Sequence, residues 1–165
     1  MLKLAVALRA LELADLAFAE RLYASTRAEE MSYSGWPAEQ IATFLRQQFE
    51  AQHTYYQHHY PDGEFSIIEL NGTPIGRIYM FWGPTTLNLI DIALVPEYQM
   101  QGIGSALLAQ QLQRVDELGL AVELSVETYN RAQRLYARTG FHVINESGVY
   151  LRMRRAPRNA SSRIV

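Results

Sequence analysis

The stretch Glu97–Leu108, EYQMQGIGSALL, places Gly102 and Gly104 one residue apart, where a strand-like run ends and a helix-like run begins. Glycine inside a helix costs about 1 kcal/mol relative to alanine, so the pair needs a reason. One reason is a tight strand-to-helix turn. The other is the close approach of an anion. A helix N-terminus leaves four N–H groups without intrahelical partners and carries partial positive charge. Bare backbone lets phosphate oxygens reach those groups. Gln99, Gln101 and Ser105 add neutral donors to the same turn. It is not a dinucleotide fingerprint, because the third glycine of G-x-G-x-x-G would fall at Leu107. Nor is it a Walker loop, since no Gly-Lys-Ser/Thr follows.

Working outward, LNLIDIALV (87–95) reads as a strand ended by Pro96. Residues 101–118 read as a helix with Leu108, Leu112 and Val115 on one face, closed by Gly119. AVELSVE (121–127) alternates apolar and polar residues, which is strand period. A strand–helix–strand unit of this kind predicts parallel strands and a right-handed crossover. Upstream, EFSIIEL (64–70) and PIGRIYMFW (74–82) flank Asn71-Gly72 and predict a hairpin. The N-terminal part predicts a strand over 4–8 and a helix over 11–25 with Ala14, Phe18 and Leu22 in line. An irregular polar loop over 26–36 follows, then a helix from Pro37 to about His59, with Ile41, Phe44, Leu45 and Phe49 on its apolar face. At the other end come a short helix over 130–139 and two strands, 141–144 and 149–153, around NESG. The order is β-α-α-β-β-β-α-β-α-β-β. It describes an α/β chain with a mixed sheet and helices on both faces.

The chain has 165 residues, 48% of them hydrophobic, enough for a core. It has no cysteine, which excludes disulfides, thiolate nucleophiles and cysteine-type zinc sites. No apolar run approaches 20 residues, so no membrane span is expected. The N-terminal stretch lacks a signal-peptide pattern, and a cytoplasmic setting follows as an expectation. Net charge is −2 and no dense Lys/Arg run precedes Arg152, which argues against nucleic acid as a partner. RMRRAPRNASSR (152–163) reads as a last strand and a frayed end, giving a domain over 1–155 and a flexible basic tail over 156–165. His58 and His59 tempt a metal reading, but adjacent helical residues point about 100° apart. No metal is expected.

ALVPEYQMQGIGSALL (93–108) resembles motif A of the GNAT superfamily of N-acetyltransferases, written Q/R-x-x-G-x-G/A, here Gln99 to Gly104. VETYNRAQRLYARTGF (126–141) resembles motif B through Asn130, Leu135, Tyr136, Gly140 and Phe141. The element order also matches that family's fold, a central splayed sheet. The chain departs from the pattern at Met100 and Gln101, where glycine or arginine and a basic residue are common. Any diphosphate is then held more by N–H groups and less by side-chain charge.

The resemblance implies acetyl-CoA as cosubstrate. It implies a primary amine, on a small molecule or a peptide, as acceptor, attacked directly in a ternary complex. It assigns cofactor contacts to Leu94, Val95, Gln99, Met100, Gln101, Gly102, Ile103, Gly104, Ser105, Asn130 and Tyr136. Main-chain groups at Leu94 and Val95 would pair with the pantetheine arm in a gap beside residues 123–127. One N–H there would polarise the thioester carbonyl. Tyr136 becomes the general acid toward the departing thiolate, and Asn130 both a helix cap and a cofactor contact.

An alkyl ammonium is only about one part in two thousand neutral at pH 7, so its proton needs an acceptor. Some family members place a glutamate on the strand before motif A; that position falls near Asn88, an amide that cannot act as a base. Asp91 interrupts an apolar strand and is either a base or an ion-pair partner of a neighbour such as Arg77. Glu123 and Glu127 are further carboxylates. The acceptor pocket of this family draws on the first helix–loop–helix, which here carries Glu29, Glu30, Tyr33 and Trp36. Tyr79 on an adjoining strand is expected in the same pocket. Carboxylates with aromatics suit a cationic amine, and equally suit a solvated loop. A reading from another class is a non-catalytic acyl-CoA sensor. The final hairpin offers a surface for a homodimer.

Overall fold

Hydrophobic spacing changes from helical to strand period near residue 60, and the architecture follows that change. The computed structural model describes residues 6–158. Leu4 and Ala5, expected to open the first strand, and residues 159–165 of the tail lie outside the described residues. The elements run β1 (Val6–Ala10), α1 (Leu16–Ser32), α2 (Ala38–His59), β2 (Glu64–Leu70), β3 (Thr73–Trp82), β4 (Thr86–Leu94), α3 (Ile103–Leu118), β5 (Ala121–Glu127), α4 (Ala132–Arg138), β6 (His142–Ser147) and β7 (Tyr150–Arg155). Short 3₁₀ turns cover Leu13–Asp15 and Pro96–Tyr98. The strands form a seven-stranded sheet in the order β1-β2-β3-β4-β5-β7-β6. It is mixed, with β4 and β5 parallel and β1–β2, β5–β7 and β6–β7 antiparallel.

The chain divides into two compact units. One holds the described residues up to Ile78 together with Ile92–Gln99; the other holds Tyr79–Asp91 and the described residues from Met100 onward.

In the first unit, α1 and α2 bury Ala19, Tyr23, Met31, Leu45 and Phe49 between them, with Ile41 and Phe44 packed alongside. The expected polar loop over 26–36 is corrected here: α1 continues to Ser32. Arg, Ala and Glu at 27–30 are good helix formers, and the Ser25 and Thr26 hydroxyls bond back to the carbonyls of Leu22 and Tyr23. The polarity marks a solvated helix face, not a break. The start of α1 also shifts, because Asp15 is consumed by an ion-pair knot. Arg9 donates to both Asp15 oxygens, at 2.7 and 2.8 Å, and to Glu69 at 2.7 Å, while the Glu12 N–H donates to Asp15 at 2.8 Å.

Hydrogen bonds from Arg9 hold the Asp15 carboxyl at a pKa of about 2, below its usual 3.8. A depressed carboxyl stabilises the fold above its unfolded pKa, and that contribution is lost as pH falls toward 2. Asp15→Asn is expected to cost about 1–2 kcal/mol at pH 7, with the solvent access of Arg9 discounted, and to flatten the acid limb of stability below pH 4. Urea unfolding at pH 7 and pH 3 checks this; equal midpoints for variant and parent at pH 7 would refute it.

In the second unit, α3 buries Ile103, Leu107, Leu108, Leu112 and Val115. β5 turns Val122, Leu124 and Val126 inward. Arg155, 2% exposed, makes a two-pronged pair with Asp116 at 2.8 and 3.1 Å. The basic end of the chain is thus partly committed to structure. The final strands are longer than expected. NESG is not the turn between them: β6 runs through Asn145–Ser147 past a bulge, and Gly148 (φ 60°) takes the reversal.

Candidate active site

The glycine-rich turn adopts the conformation that its residues demand. Gly102 lies at φ 82°, the left-handed region that favours glycine, and caps α3 without any side-chain hydrogen bond. The first helical bond of this end is Ala106 N–H to the Gly102 carbonyl at 3.0 Å. The N–H groups of Ile103, Gly104 and Ser105 therefore have no intrahelical acceptor. Gly102 and Ser105 are exposed, Gly104 is half-buried and Ile103 packs inward. Met100 also takes positive φ, 63°, which is strained for a residue with a side chain, and that side chain is 81% exposed.

In the first unit, the Gln99 side chain donates to the Leu94 carbonyl at 2.9 Å, and the Val95 N–H donates to Ile75 at 2.8 Å. The Val95 amide is thus engaged toward β3. Gly76 is glycine for a steric reason: an added Cβ would fall on the Ala93 carbonyl oxygen.

The parallel ladder between β4 and β5 pairs Thr86–Leu89 with Ala121–Leu124. β4 runs on through Asp91, and β5 through Glu127, beyond the paired residues. Tyr136 on α4 is 7% exposed, with its ring 5.6 Å from Phe141. Burial, then the charges of Asp91 and Glu127, push its phenol well above the usual tyrosine range. The phenol therefore stays protonated. By the Leu89–Leu124 register, Asp91 belongs to one face of the sheet and Glu127 to the other.

The turn before α4 is tightly tied. The Asn130 side-chain oxygen accepts the Ala132 N–H at 2.8 Å, and its Nδ2 donates to Glu127 at 3.0 Å. Asn130 thus caps the helix start and holds Glu127. Glu123 is paired with Arg154 at 2.8 Å and with Arg152 at 3.4 Å, so a role as base would need that pairing broken. Arg152 also donates to Asn88. Arg77 is buried and donates to Gln52 at 3.0 Å. The Gln52 partner is invisible in the sequence, because α2 reaches it only in the fold.

Of the expected acceptor residues, Glu29 and Glu30 lie on the last turns of α1 and Tyr33 caps it, all exposed. Trp36 packs edge-on against Phe44 at 5.4 Å. Tyr79 is buried, at 1% exposure. An open cavity of about 600 Å³ in the first unit, lined by Arg9, Gln57, Asp62 and Glu64 among others, contains none of the expected site residues. Among the described residues no three His, Asp or Glu side chains converge as a metal site, and no helix is long and apolar enough to cross a membrane.

No curated protein matches the chain. Among solved structures, the PaiA N-acetyltransferase of Thermoplasma acidophilum, solved with coenzyme A, superposes with a TM-score of 0.68 at 21% identity, over 92% of this chain and 99% of that one. Ard1 of Thermoplasma volcanium gives 0.59 at 20%, over 92% and 97%. An acetyltransferase of Thermus thermophilus gives 0.63 at 16%, over 91% and 96%. These likenesses establish the fold. Residues 14–141 match the Acetyltransferase (GNAT) family, a span that takes in both glycine-turn and Tyr136 segments, and the chain therefore belongs to the GNAT acetyltransferases.

Proposed function

We propose that the chain uses acetyl-CoA to acetylate a primary amine by direct attack, within a catalytic domain over 1–155 and in the cytoplasm. The observation that carries this is the Tyr136 phenol, buried on α4 and kept protonated by that burial and by the charges of Asp91 and Glu127, whose strands run on beyond the paired β4–β5 residues. The free N–H groups of residues 103–105 take the diphosphate, and the Leu94 main chain lies along the pantetheine arm. The amine nitrogen bonds to the thioester carbonyl carbon while the Leu94 N–H steadies the oxyanion. The C–S bond then breaks, and Tyr136 gives its proton to the thiolate. The proton lost by the amine passes to Asp91.

The acceptor binds as a cation. Glu30 is loosely paired with Arg27 at 3.8 Å, whereas Glu29 has no ion pair among the described residues, so Glu29 is the carboxylate open to an ammonium. Thiol release from acetyl-CoA over a panel of polyamines, amino acids, aminoglycosides and peptides tests the reading. Turnover on one amine class is expected. Tight acetyl-CoA binding without turnover on any amine would make the chain an acyl-CoA sensor instead.

A further inference from the structure

We infer that Arg131, which precedes α4, supplies to the bound diphosphate the side-chain charge that the glycine turn itself lacks; this rests on the cofactor reading above. No Lys or Arg occurs between Glu97 and Leu108. The helix end offers only about half an elementary charge, against the two negative charges of a diphosphate. Arg131 comes from a distant part of the sequence, yet its Nη1 lies 3.7 Å from the Met100 sulfur, two residues ahead of Gly102. That thioether is its one polar side-chain contact among the described residues, and sulfur is a weak acceptor. Arg131 is exposed and forms no ion pair among the described residues, unlike Arg9, Arg152, Arg154 and Arg155.

Its main chain is nonetheless fixed. Asn130 bonds forward to Ala132 and back to Glu127, and the Gln133 amide donates to the carbonyls of Glu127 and Thr128. A guanidinium on a rigid base, resting on the turn that takes the ligand, loses only a sulfur contact when it moves onto phosphate oxygens. Its fork matches two of them at once. Met100 keeps the guanidinium over the turn while the ligand is away. The departure from the usual basic residue at position 101 is in this way offset by a cation from a different element.

Calorimetric titration of coenzyme A and of dephospho-coenzyme A, which keeps the diphosphate but lacks the 3′-phosphate, tests the assignment. Arg131→Gln is expected to weaken both ligands about tenfold. Arg131→Lys should recover part of the loss. Arg134→Gln, which removes an exposed arginine one turn on, should bind like the parent. Parental affinity in Arg131→Gln overturns the assignment, and so does a loss seen with coenzyme A but absent with dephospho-coenzyme A. Gly104→Val separates the two levels. If that variant also binds fully, the cradle itself is wrong; if it fails to bind while Arg131→Gln is unaffected, only the arginine assignment falls.

Discussion

Gly104→Val is expected to lose coenzyme A affinity by at least about 100-fold while keeping its fold. Gly104 is the second residue of α3 and only half-buried. A valine there costs helix stability of no more than about 1 kcal/mol, and glycine is itself the poorer helix former. Far-UV circular dichroism and thermal midpoint should therefore change little. The ligand-side effect is large because position 104 belongs to the first turn of α3, whose N–H groups have no intrahelical acceptor, and a phosphate oxygen must come within about 3 Å of them past any added bulk. Affinity equal to the parent, in a folded variant, would sink the phosphate-cradle assignment. Gly102 plays a different part. An added Cβ there meets nothing within 4 Å, so its glycine answers to the φ of 82° more than to protein packing.

Tyr136→Phe should lower kcat by about 10- to 100-fold and leave coenzyme A affinity within about twofold. The range is the low end for general acid catalysis, because a thiolate of pKa about 8.5 already leaves readily. Burial and the charges of Asp91 and Glu127 raise the phenol pKa, so the rate should show no loss from tyrosine ionisation up to about pH 10. The same shift acts on stability. A group with its folded pKa raised stabilises the fold fully below its unfolded pKa, near 10, and that contribution disappears as pH rises through the folded value. The parent should therefore lose stability above about pH 10 more steeply than Tyr136→Phe. An unchanged kcat in the variant would remove Tyr136 from the chemistry and leave it as a core residue packed on Phe141.

The order of elements was legible because hydrophobic period is a local property. Ile41, Phe44, Leu45 and Phe49 mark one helix face, and the alternation in AVELSVE marks a strand; the helix and strand lie where those patterns put them. Turn chemistry was local too: Asn71 and Gly72 both take positive φ, and Gly119 closes α3 in the left-handed region. Composition failed at residues 26–32, since a solvated helix face and a loop carry the same polar residues.

What the sequence determined by itself was the set of elements, the glycine turn and the Tyr136 segment, because each is written in residues within a few positions of one another. What the tertiary structure decided was the partnership of charges: Arg9 with Asp15 and Glu69, Glu123 with Arg152 and Arg154, and Arg131 with Met100. The physical reason is range. Dihedral preference and burial period act along the chain, whereas a charge pairs with whatever the fold brings within a few ångströms.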